Sequence, residues 1–219
     1  MPRIALIHAL RHSPQPIAEA FARLWPAPTL MNLLDDSLSA DLARDGAITP
    51  AMTQRFLDLA AYARRTGAEA ILFTCSAFGP CIEAVKAANA DIPVLKPNEA
   101  MIDAALDAAP SGRIGLLATF PATLPSMRPE FAAAAKARGI TLTLAEACAP
   151  AALSALDAGD AARHDAEAAA VAPTLEGEVI ALAQFSLARA ADAVAAATGK
   201  RVLTTPDSAV LRLKALLRG

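Results

Sequence analysis

The chain has 219 residues, with 20 Lys and Arg against 22 Asp and Glu and a formal net charge of −2. That length allows one large domain or two small ones with a sizeable core. The balanced charge, without a basic run, argues against a nucleic-acid partner, and no apolar stretch reaches the length of a membrane span.

In chain order, "RIALI" (3–7), "TLMNL" (29–33), "EAILFT" (69–74) and "PVL" (93–95) read as short buried strands. Between the second and third lies "TPAMTQRFLDLAAYARRTG" (49–67), which reads as a helix. Thr49 is its expected N-cap, Pro50 its first residue and Gly67 its stop. Met52, Phe56, Leu59, Ala60 and Ala63 recur at helical spacing within it. Strands alternating with helices imply βαβ units and a mainly parallel sheet. Hydrophobic residues make up 55% of the chain but aromatics only 4%, so the expected core is aliphatic and alanine-rich.

The chain also repeats itself. "RIALIHALRHS" (3–13) matches "RIGLLATFPAT" (113–123) at an offset of 110. "AILFTCSA" (70–77) matches "VIALAQFS" (179–186) at 109, and "PVLKPNEAMI" (93–102) matches "RVLTTPDSAV" (201–210) at 108. Three matches in the same order at nearly constant offset predict two similar α/β halves, 1–97 and 98–199, with 200–219 packing back on the first. The alignment pairs Cys75 with Gln184.

In parallel α/β sheets, ligands bind beyond the carboxyl ends of the strands. Polar residues cluster at those places: His8, then Thr74-Cys75-Ser76, then Thr119 and Thr123, then Gln184 and Ser186. Each precedes a predicted helix, whose free N–H groups suit a small carboxylate and lower the pKa of a nearby thiol. Cys75 is at this point either a small core residue or a reactive thiol, and His8 either a polar strand terminus or a ligand contact. Cys81, inside the helix after Gly79-Pro80, and Cys148 read as packing, His12 and His164 as surface, Lys96 as a solvated loop residue. Phe120 and Phe185 flank the carboxylate donors and fit an apolar substrate face or the core equally well. Histidines and cysteines show no metal-ligand spacing, and no phosphate-binding glycine pattern occurs, so neither a metal nor a nucleotide cofactor is expected. The sparse, odd cysteine set and the short apolar segment of "MPRIALIHALRHSP" lead us to expect a reducing, cytoplasmic location.

The two-fold repeat, "FTCSAFG" in the first half and "IALAQFSLA" at the equivalent later place, resembles the Asp/Glu racemase superfamily. That group includes aspartate, glutamate and hydantoin racemases, maleate isomerase and arylmalonate decarboxylase. "RIGLLAT" and "PVLKPNEAM" resemble its substrate-carboxylate segment and the stretch after its fourth strand. The resemblance implies two pseudo-symmetric Rossmann-like halves, each a mainly parallel four-stranded sheet flanked by helices, with the active site in the cleft between them. It implies a cofactor-free enzyme on a small carboxylate, assembled as a homodimer or larger. In such racemases one cysteine per half works on opposite faces of the carbon next to a carboxylate. Cys75 falls on the first cysteine; the second is replaced by Gln184, which is neither acid nor base near neutral pH. The catalytic candidates are therefore Cys75 and Gln184, and the substrate-binding candidates His8, Ser76, Thr119, Thr123, Phe185, Ser186 and Asn98. The expected activity is proton transfer alpha to a carboxylate by a racemase-like isomerase. A single-cysteine decarboxylase, covalent attack by Cys75 on an unsaturated carbon, and a non-catalytic carboxylate binder stay open beside it.

Overall fold

The computed structural model describes residues 1–218, which divide into two compact units. The first comprises Met1–Pro97 with the segment from Ala209 onward, the second Asn98–Ser208.

The first unit contains β1 (Arg3–His8), α1 (Pro14–Leu24), β2 (Thr29–Leu34), α2 (Ser37–Asp45), α3 (Pro50–Arg65), β3 (Ala70–Phe73), α4 (Gly79–Ala88) and β4 (Val94–Leu95). Its strands form one all-parallel sheet in the order β2-β1-β3-β4. The central strand β3 is buried at every residue, as an unbroken apolar run requires in a sheet covered on both faces. Alternation then sorts the side chains. Ala5, Ile7, Ile71 and Phe73 pack with Leu38 of α2, Met52, Phe56, Ala60 and Ala63 of α3 and Ile82 of α4. Phe56 lies 5.2 Å from Phe73 and 5.0 Å from Phe78, ring centre to ring centre. Burying a phenylalanine of this kind stabilises the fold by roughly 1.5–3 kcal/mol. The hydroxyl of Thr49 caps α3 by accepting the Met52 N–H at 3.2 Å.

The second unit contains α5 (Glu99–Ala108), β5 (Arg113–Ala118), α6 (Thr123–Ala137), β6 (Thr143–Cys148), α7 (Pro150–Asp157), α8 (Ala161–Val171), β7 (Val179–Leu182), α9 (Ala191–Thr198) and β8 (Arg201–Thr204). Its sheet is again all parallel, in the corresponding order β6-β5-β7-β8. Leu116, Ala118, Val179 and Ala181 pack with Met101 and Leu106 of α5 and Met127 and Phe131 of α6. Leu117, Ile180 and Leu182 pack with Ala168 of α8 and Val194 of α9. Gly112 enters β5 at φ +72°, and a Cβ there would stand 2.1 Å from the Thr141 carbonyl oxygen, so only glycine fits.

The expected halves and these units differ over residues 200–208. β8 pairs in parallel with β7, so this stretch lies with the second sheet. The last helix, α10 (Thr205–Arg218), begins there, and from Ala209 its residues group with the first unit. Within that unit the Lys214 ammonium donates to the Leu24 carbonyl at the end of α1, at 3.0 Å.

Hydrogen bonds make the repeat exact at the level of the backbone. Glu69 N–H donates to Arg3 O at 2.8 Å, and Glu178 N–H to Arg113 O at 2.9 Å. Thr74 N–H donates to Ile7 O at 3.1 Å, and Ala183 N–H to Leu117 O at 2.9 Å. Ile7 therefore corresponds to Leu117 and Thr74 to Ala183. The next residues, Cys75 and Gln184, occupy equivalent strand ends.

Candidate active site

At the end of β3 the chain turns from extended backbone at Cys75 (φ −128°, ψ 119°) into a single tight turn, Ser76–Phe78, and then α4. Cys75 is half-buried and packs against the α2–α3–α4 side of the sheet. Ser76 is half-buried beside it. Burial raises the Cys75 thiol above its ordinary value of 9.0, and the Ala77 N–H pointing at its sulfur offsets only part of that. A lowered thiol was the expectation from a nearby helix start. It fails because one N–H from a tight turn is weaker than the loss of water around the sulfur.

His8 ends β1, the strand beside β3, and is fully buried. Its Nδ1 lies 2.9 Å from Thr74 Oγ1 and its Nε2 3.0 Å from Asn32 Oδ1. Asn32 Oδ1 can only accept, so Nε2 carries the proton and the Thr74 hydroxyl donates to Nδ1. Burial lowers the His8 pKa against the opposing bond to Asn32. With both nitrogens engaged, His8 offers none to a ligand. Alternation places it with Leu6, Asn32 and Thr74 on the face of the sheet opposite the Cys75 side chain. It ties β1, β2 and the residue preceding Cys75 together.

The equivalent end of the second sheet is built differently. Gln184, half-buried, follows β7, and Thr119 follows β5. Gln184 Oε1 accepts the Thr119 N–H at 2.7 Å and the Thr119 hydroxyl at 3.0 Å. Thr119 is 1% exposed. Thr123 is buried at the start of α6, its N–H donating to Phe120 O at 3.0 Å. Phe185 is buried, Ser186 half-buried, and Phe120 exposed. Asn98 precedes α5 and is 2% exposed, yet it does not cap that helix. Its Nδ2 has no hydrogen-bond partner among the described residues.

The remaining polar residues fall as follows. Cys81 is fully buried in the first core, 3.5 Å from the Thr53 hydroxyl. Cys148 is half-buried at the end of β6, its thiol raised by burial. Lys96 pairs with Glu83 of α4. His12 is exposed, but His164, expected at the surface, is fully buried against the Asp165 carboxylate at 2.7 Å, which Arg189 also holds. Among the described residues no group of three or more His, Cys, Asp or Glu side chains could hold a metal ion, and no helix is long and apolar enough to cross a membrane. The sequence shows Thr74 as a polar residue at a strand end, but not its bond to His8 nor the part of Asn32. The available signal is Asn32, a polar residue in the interior of the strand "TLMNLL", with apolar residues on both sides.

The fold matches solved racemase structures at low identity. An aspartate racemase homologue from Pyrococcus horikoshii aligns over 100% of both chains with a TM-score of 0.73 and 13% identity. A glutamate racemase from Bacillus anthracis aligns over 99% of this chain and 82% of its own, with a TM-score of 0.72 and 14% identity. An allantoin racemase from Klebsiella pneumoniae covers 100% of this chain and 88% of its own, at 0.68 and 18%. No curated protein matches the sequence. A family model described as Asp/Glu/Hydantoin racemase matches residues 11–213, nearly the whole chain, and the chain belongs to that family.

Proposed function

We propose that the protein moves a proton at the carbon next to a carboxylate of a small acid, with Cys75 as the acid/base and no cofactor. The observation that carries this is the half-buried Cys75 at the carboxyl end of β3, with an N–H aimed at its sulfur and a braced residue before it. As thiolate, Cys75 takes the α-proton and becomes a thiol. The electron pair left behind delocalises into the carboxylate as an enolate, and the thiol returns the proton. Ser76, Thr123, Ser186 and Asn98 are the proposed ligand-binding groups; the buried, unpartnered Asn98 Nδ2 is a donor suited to a carboxylate oxygen. Gln184 is a hydrogen-bonding group, not a second proton-transfer group.

The position of Gln184 favours a second reading, a lyase. Loss of carbon dioxide breaks one carbon–carbon bond and leaves a carbanion that needs one proton, which the Cys75 thiol supplies and water restores. A thiol held above its ordinary pKa is in the protonated form this step needs.

Both are tested by incubating the protein in deuterated water with D- and L-aspartate, D- and L-glutamate, maleate, allantoin, hydantoins and substituted malonates, followed by NMR. Deuterium at the α-carbon supports proton transfer, and carbon dioxide release with one deuterium supports the lyase. Carboxylate binding without exchange or release leaves only a binding protein. Activity that survives Cys75→Ser undiminished removes Cys75 from the reaction.

A further inference from the structure

Thr119 and Gln184 meet beyond the last paired residues of β5 and β7, Leu117 and Leu182. Extending that parallel register by two residues brings them side by side. A backbone N–H only donates, so the atom facing the Thr119 N–H at 2.7 Å must be the carbonyl oxygen of the carboxamide. This contact fixes the orientation of an amide that is otherwise ambiguous. The Thr119 hydroxyl adds a second bond to the same oxygen at 3.0 Å. Thr119 is buried behind Gln184, which is half-buried, and Gln184 Nε2 makes no hydrogen bond among the described residues. The equivalent residue in the first unit, one beyond His8 where Thr119 is one beyond Ala118, is Ala9. The threonine with two donors thus accompanies the glutamine, and the alanine without a hydroxyl accompanies the cysteine.

We infer that Thr119 is a positioning residue that holds Gln184 as a fixed, uncharged hydrogen-bond donor, presenting Nε2–H2 to an acceptor-only oxygen of the ligand. The fitting chemistry is a carboxylate oxygen or the carbonyl oxygen of a ureide. This rests on the proposal of proton transfer at Cys75, and it changes the part played by Thr119. The sequence places Thr119 among the direct substrate contacts; here its N–H and hydroxyl are both engaged by Gln184, so it acts on the ligand only through Gln184. Because a carboxamide does not titrate, the strand end keeps one polarity across neutral pH. Without Thr119 the carboxamide can turn its oxygen outward and meet a carboxylate with like partial charge.

Two measurements on the full chain test this. In ligand-free protein, solvent exchange of the Thr119 amide hydrogen is followed by NMR in wild type, Gln184→Glu and Gln184→Ala. A carboxylate still accepts from Thr119 but donates nothing. Protection should therefore persist in Gln184→Glu, and exchange should rise by about tenfold or more in Gln184→Ala. In deuterated water, with whichever of aspartate, glutamate or allantoin exchanges its α-hydrogen, Gln184→Glu should raise KM by about tenfold or more with a smaller change in kcat. Thr119→Val should raise KM by about threefold, Thr119→Ser should recover most of that loss, and Thr119→Val should add nothing in a Gln184→Ala background. Unchanged Thr119 exchange in Gln184→Ala, or a Gln184→Glu variant with wild-type KM, overturns the inference. If no compound exchanges in wild type, the proposed function fails, and the Thr119 amide still decides whether the glutamine is held.

Discussion

The ends of β3 and β7 are one place in two repeats, and each carries a different polar side chain held in a different way. In the first unit a titratable thiol follows a residue braced through His8 and Asn32, three polar side chains bonded on the far face of the sheet. In the second, Ala118 and Ala183 stand where His8 and Thr74 stand in the first and offer no polar side chain for such a brace; the Gln184 side chain is held directly by its neighbour Thr119. A thiol needs room around the sulfur to take up a proton, so its support acts on the backbone. A carboxamide works through orientation, so its support grips the side chain. The difference teaches that a duplicated scaffold can conserve backbone hydrogen bonds while the chemistry at its two ends diverges.

The largest expected effect comes from making the two ends alike in the wrong sense. Cys75→Gln should reduce α-carbon deuterium exchange by about a thousandfold, in the range usual for removing a general acid or base, while thermal unfolding stays two-state. The converse change, Gln184→Cys, sharpens the comparison. It places a second thiol at the equivalent strand end and should add or accelerate loss of optical purity in the exchanging substrate, read by chiral chromatography.

The pH profile comes next. The Cys75 thiol is raised by burial, so the thiolate becomes more abundant as pH increases through and beyond neutrality. If thiolate is the base, kcat/KM should climb by about tenfold per pH unit up to above pH 9. If the thiol is the acid of a decarboxylation, the rate should be flat near neutrality and fall only in that alkaline range.

The smallest effect concerns the brace. His8→Ala leaves the buried Thr74 hydroxyl with only the Ile7 carbonyl, at 3.4 Å, and empties the space of a fully buried ring, and should cost about 1–3 kcal/mol in a denaturant titration. The His8 pKa is lowered in the folded protein, so the histidine contributes stability above its ordinary 6.5 that is lost as pH falls toward the folded value. The pH dependence of stability between about pH 7 and 5.5 should therefore be shallower in His8→Ala than in wild type, because the unfolded-state proton uptake at this site is gone. An equally steep profile would show that another group sets it.

The sequence by itself determined the repeat, the alternation of strands with helices and the pairing of Cys75 with Gln184. These follow from local patterns: unbroken apolar runs for buried parallel strands, and Thr49-Pro50 opening and Gly67 closing the α3 region. The placement of β8 was legible only through the repeat, which makes it the counterpart of β4; the four-residue strand by itself does not show which sheet it joins, and the boundary at residue 199 put it on the wrong side. Tertiary structure alone decided what each polar group does. Parallel register over β1, β2 and β3 turned His8 from a ligand candidate into a brace, since its partners lie 24 and 66 residues away. Burial set the thiol above its ordinary pKa against the expected pull of a helix start. The meeting of β5 and β7 gave Gln184 its polarity through a residue 65 positions earlier. Sequence pattern records which groups are present at a strand end. Their charge, their orientation and which of their atoms stay unbonded depend on solvent exclusion and on neighbours brought in by the fold.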